Sequence, residues 1–163
     1  MHSRIYQISK DPIPEEQYLT EERYEGDAFG PGLMNGVVDY VSSDTDRSSD
    51  VFWLKELLGD AVAFDGDTSF TIISREAFFR PHFEEFMDAV NSLKNATLDS
   101  FSRHDWENLG STLYRLKSAY SDEYGMYVDD GGKQFGLATL SDFFRSAKEG
   151  ETYYIGATFD YHW

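Results

Sequence analysis

The chain has no cysteine among its 163 residues. Disulfides, thiolate metal sites and a cysteine nucleophile are thereby excluded, and the composition fits a reducing compartment. Long apolar runs are missing as well. The longest uninterrupted ones are residues 51–54 and 61–64, whereas a membrane span takes about twenty such residues. The opening Met1-His2-Ser3-Arg4-Ile5-Tyr6 lacks the apolar core of a secretion signal. The expectation is a cytoplasmic protein without membrane association. Basic side chains are scarce too: 14 Lys and Arg face 30 Asp and Glu, giving a formal net charge of −16. Such a surface repels nucleic acid and anionic lipid, so direct nucleic-acid binding is not expected, and a basic protein partner is favoured.

Catalytic and cofactor signatures are also absent. There is no Gly-x-Ser-x-Gly elbow, and no glycine-rich loop runs into Lys-Ser or Lys-Thr; Gly131-Gly132-Lys133 is followed by Gln134. Asp44, Asp46 and Asp50 invite a calcium reading. Counting from Asp44, however, the sixth and twelfth positions hold Ser49 and Lys55, where a calcium loop needs glycine and glutamate. Asp65 with Asp67, and Asp129 with Asp130, read as turn residues. His82, Glu85 and Asp88 share a helix, yet a transition metal wants more than one imidazole, and His2, His104 and His162 are scattered along the chain. No catalytic residue, cofactor or metal ligand is predicted.

What is present is aromatic. Eleven Tyr and thirteen Phe argue for a packed core despite the charge. The chain is organised around its middle. Phe79, Phe83, Phe86, Val90 and Leu93 recur at helical spacing, as do Trp106, Leu109, Leu113, Leu116 and Tyr120. These stripes predict an antiparallel helical hairpin. Pro81 predicts a kink after a helical turn at 75–79, with the first main helix running from Pro81 to about Asn95. Ser102 with Asp105 resembles a capping box, with Asp where Glu is usual, that opens the second main helix; this helix runs to about Tyr120, and Gly110 inside it permits close packing.

Elsewhere, 4–9 and 68–74 read as strands, and 124–129 with 133–137 as a hairpin around Asp130-Gly131-Gly132. Val37 to Val41 is ambiguous between helix and strand. A short helix at 51–58 is capped by Asp50 or Ser49, ended by Gly59, and buries Trp53, Leu54, Leu57 and Leu58. Thr139 with Asp142 opens a helix that buries Leu140, Phe143, Phe144 and Ala147. Residues 152–163 alternate as one long strand near the sheet centre, with Tyr153, Ile155, Ala157, Phe159, Tyr161 and Trp163 forming an aromatic face under the hairpin. The reading is a single α+β domain over 1–163: an antiparallel or mixed sheet with a helical hairpin and shorter helices packed on one face. A long irregular acidic segment lies at about 10–36.

Function follows from charge, aromatic excess and absent motifs. The reading is a non-catalytic acidic binding protein acting on a basic partner, as an inhibitor, an immunity-type protein or a nucleic-acid mimic would. The contact residues it nominates are Glu21, Glu22, Tyr24, Asp44, Asp46, Glu84, Glu85 and Asp88. The alternatives are an enzyme whose site is assembled from scattered groups such as His82, His104 and nearby acids, and a structural subunit of a larger assembly. The sequence does not specify the oligomeric state.

Overall fold

In the computed structural model, residues 2–24, 38, 40–122 and 125–162 are described. The sheet is built on β7 (Thr152–His162), which the alternation of the sequence specifies. Along one edge β7 pairs antiparallel with β1 (His2–Ser9). Its other edge is shared: β4 (Ser69–Ile72) covers the N-terminal half and β2 (Tyr40–Ser42) the C-terminal half, both antiparallel. β3 (Val62–Asp65) closes a hairpin with β4 around Asp65-Gly66-Asp67. Beyond β1 lie β5 (Tyr127–Asp129), parallel to it, and β6 (Leu137–Thr139), antiparallel to β5. The sheet is therefore mixed and seven-stranded, and the ambiguous 37–41 stretch contributes a strand at its described end.

A register shift interrupts β7. Tyr6 pairs with Thr158, but Ile8 pairs with Ile155, so one extra residue of β7 bulges at Gly156–Ala157. The bulge exchanges faces. Tyr153 and Ile155 join Tyr6, Ile8 and Val128 in the larger core under the helices, while Phe159 and Tyr161 join Ile5 and Tyr127 on the opposite face. The expected single aromatic face is corrected accordingly: a strict alternation read through Gly156 assigns half of the strand to the wrong side.

The helical face is covered by α1 (Arg47–Leu58), α2 (Arg75–Leu93) and α5 (Leu140–Ser146). α1 starts at Arg47, capped by Asp46, and Asp50 is buried in its first turn. Its inward side is Val51, Leu54 and Leu58; Trp53 and Leu57 are exposed, contrary to expectation. α5 is as read: Thr139 accepts the Asp142 N–H at 3.1 Å, and Leu140, Phe143, Phe144 and Ala147 are buried. Ser74 caps α2, and the helix runs through Pro81 without ending there.

The helical hairpin forms, but only its root reaches the sheet body. Phe78 stacks on Phe144 with ring centroids 3.9 Å apart. After a short α3 (Leu98–Ser102, capped by Thr97) and a π turn at Trp106–Gly110, α4 (Ser111–Ser121) returns along α2. The buried positions on these helices beyond the root are small: Ala89, Thr112 and Ala119. Phe83 and Leu113 stay exposed, and Phe86 and Leu109 are half-buried. The bulky stripes expected to be hidden against the sheet instead line a projecting arm.

Candidate functional site

Two surfaces emerge, an edge of the body and the arm. At the edge, Glu21 sits in a helical turn, Glu21–Tyr24, and its carboxylate accepts both the N–H and the hydroxyl of Ser43 at 2.8 Å. Those two hydrogen bonds, the backbone one first, hold its pKa below the usual carboxylate range. Asp46 accepts from the Ser48 N–H at 3.1 Å and the Ser49 hydroxyl at 2.7 Å, and its pKa is likewise lowered, chiefly by Ser49. Glu21, Glu22, Asp44 and Asp46 thus gather where the turn meets the end of β2.

The segment carrying these acids is pinned from beneath. Gln7 Oε1 accepts the N–H groups of Leu19 (2.9 Å) and Ala157 (3.1 Å), and its amide donates to the Gln17 carbonyl at 3.0 Å. Arg23 grips the buried Asp129 carboxylate through two nitrogens, at 2.6 and 3.0 Å. Tyr24 is removed from the contact list. It is 1% exposed, its hydroxyl donates to Asp129 at 3.3 Å, and its ring meets Phe159 edge-on at 5.0 Å. It anchors the acidic segment and offers nothing to a partner. The part of the irregular segment from 25 to 36 lies outside the described residues.

Glu84, Glu85 and Asp88 are exposed on α2, and Glu85 accepts from Arg115 of α4 at 3.3 Å. The main packing partners of α2 are α4, α5 and the turn Gly59–Ala61. The second group of nominated acids therefore belongs to the arm, apart from the Glu21–Asp46 edge. The arm is not acidic: residues 75–121 hold seven acids and six bases, so the rest of the chain carries all but one of the net negative charges.

The arm's character is apolar. Phe83, Met87, Leu98, Phe101, Trp106, Leu113, Tyr114 and Tyr120 are all exposed, from 37% for Met87 to 84% for Leu98. An outer groove of about 640 Å³ is lined by Phe101, Trp106, Leu109, Leu113 and Tyr114. The Trp106 ring packs against Gly110, where an added Cβ would come within 2.2 Å of it, so the glycine does allow close approach. A groove of about 460 Å³ at the arm's root is walled by Phe79, Phe83, Phe86 and Tyr120, with His82, Ser141 and Arg145 on its rim. Nearby, part-buried Asp122 ends α4 in a left-handed conformation, φ 52°. Burial raises its pKa, while His82 and the Ser141 hydroxyl oppose the rise.

Ser141 reaches Asp122 only at 3.4 Å, and among the described residues no hydrogen bond joins His82 to Ser141. His82 is at the root and His104 at the outer groove, so the structure does not unite the two histidines singled out in the sequence. Among the described residues no group of three or more His, Asp or Glu is placed to hold a metal ion. Nor is any described helix long and apolar enough to cross a membrane. Of the acids read as turn residues, Asp130 accepts the backbone N–H groups of residues 132–136 and Asp67 pairs with Lys55 at 2.6 Å, whereas Asp129 is a buried end of β5 held by Arg23.

The exposed arm is what the sequence reading missed, although a signal was there. Beside its stripe, α2 carries Met87, α4 carries Tyr114, and the connector adds Leu98 and Phe101. A helix pair with apolar groups on more than one side needs more than one neighbour. Scans against protein-family models, curated proteins and solved structures each find nothing that matches the chain.

Proposed function

We propose that the chain is a cytoplasmic, non-catalytic binding protein whose acidic body engages a basic protein partner. The observation that carries the reading is the segregation of charge: nearly all of the net −16 lies outside the arm. Part of it is gathered on a segment held in place by Gln7, Arg23 and the Glu21–Ser43 clamp. Acids on an ordered surface steer a basic partner and set its register without first having to be ordered themselves. Glu22 and Asp44, exposed and beside that clamp, are the contact residues, with Glu21 and Asp46 as the framework that presents them.

Capture from cell lysate at low and high salt tests this. Wild type is expected to retain proteins of basic composition at low salt and release them at high salt. A Glu22→Lys/Asp44→Lys variant should lose them, while Glu84→Lys/Asp88→Lys should keep them. Failure of wild type to retain any basic protein at low salt removes the reading.

A further inference from the structure

We propose that the arm docks on the arm of a second copy of this chain, antiparallel, placing the two acidic bodies at opposite ends. Charge selects this occupant. A strongly negative molecule can meet itself only through a part of its surface that is not negative, and residues 75–121, with seven acids and six bases, form that part. The same near-neutrality disfavours a basic segment as occupant, because the arm offers it no field.

Area is sufficient. The six exposed apolar side chains that line the two grooves, Phe83, Phe101, Trp106, Leu113, Tyr114 and Tyr120, each presenting on the order of 100 Å², offer about 600 Å² per copy, so two copies bury about 1,200 Å², the lower end of a standard interface. Leu113 and Tyr120 are seven residues apart, two turns of α4, and so share one side of it, while Trp106 of the π turn lines the same groove as Leu113. Phe86 sits beside Tyr120, with ring centroids 6.4 Å apart, and the root groove opens there. In a two-fold pairing each contact is made twice. Leu113 lies at the midpoint and meets its own copy, while Trp106 of one chain enters the Phe83–Tyr120 groove of the other.

Direction follows from repulsion. A parallel pairing would set two bodies of like charge side by side. In the antiparallel one they are separated by about the length of α2, roughly 28 Å for its 19 residues, several times the ~8 Å screening length of physiological salt. The dimer would present two copies of the acidic edge, so a partner with two basic sites would be held more tightly than by either edge alone.

Sedimentation of the full chain over about 1–100 μM tests the pairing. The expected result is a species of twice the 18.7 kDa chain mass. Leu113→Glu should weaken it at least about tenfold with unchanged circular dichroism, whereas Trp53→Glu on the exposed side of α1 should leave it intact. Because the chain has no cysteine, single-cysteine variants report register directly. Leu113→Cys should crosslink to itself on oxidation, and Trp106→Cys, roughly 20 Å from its own copy, should not. A wild-type monomer throughout, a dimer that Trp53→Glu but not Leu113→Glu dissolves, or self-crosslinking at position 106 overturns the proposal.

Discussion

Asp130 shows how much a single carboxylate can organise. Its two oxygens accept five consecutive backbone N–H groups, from Gly132 to Gly136, and so build the loop between β5 and β6. Removing it strands those donors, and Asp130→Ala should destabilise the fold by about 3 kcal/mol in chemical unfolding, the loss being limited by water reaching the loop's outer side. Glu151 acts through pH. Its carboxylate accepts the Tyr153 hydroxyl at 2.7 Å and the Lys10 ammonium at 2.9 Å, which lower its pKa to about 2. The folded pKa lies below the unfolded one, so this contribution is fully present above the ordinary glutamate pKa and is lost as pH falls through about 2. Melting temperatures measured from neutral pH downward should show Glu151→Gln less stable than wild type at neutral pH, with the gap closing in acid. Asp122 has the opposite sign. Burial raises its folded pKa, so its charged form opposes folding above that pKa, and stability is regained as pH falls toward the unfolded value. Asp122→Asn, which also suits the left-handed φ of 52°, should raise the melting temperature at neutral pH and flatten this part of the profile.

Among the elements, the bulge in β7 joins the fold to the acidic surface. Arg47 donates to the carbonyls of Ile155, Gly156 and Asp67 at 2.9 Å each, and Gln7 fills the space beside Gly156, where an added Cβ would lie 2.5 Å from its Oε1. Gln7→Ala should cost about 2–3 kcal/mol, because the N–H groups of Leu19 and Ala157 lose their acceptor. It should also increase amide exchange over residues 15–24. Caps, turns and strands were legible here because their signals are local: Ser74, Thr139, Gly59 and the Asp65-Gly66-Asp67 turn each act within four residues. The bulge was not legible, since the side chain that accepts its Ala157 N–H, Gln7, lies 150 positions away. Pro81 misled for a related reason. Its ring costs one hydrogen bond inside α2, but Phe78 stacked on Phe144 at one end and α4 alongside hold the helix continuous. The start of α1 was misplaced because Asp50 resembles a cap, yet it is buried, accepting the Thr158 hydroxyl at 2.7 Å and an Arg4 hydrogen bond.

At the scale of the molecule, periodicity identified two amphipathic helices but not what each apolar face meets, since that depends on packing between elements distant in the chain. The same holds for the nominated acids: two groups of similar composition fall on surfaces of opposite character, and only the three-dimensional arrangement separates Glu22 and Asp44 from Glu84 and Asp88. The division predicts distinct responses to salt. Contacts of the body should weaken steeply as ionic strength rises, whereas contacts of the arm, being apolar, should hold or strengthen. The most direct test is amide hydrogen exchange on the full chain, with and without a basic protein captured at low salt. Protection should rise over residues 15–24 and 40–46 and stay unchanged over 98–120. Protection confined to 98–120, with the acidic edge unaltered, would contradict the assignment of partner binding to the body.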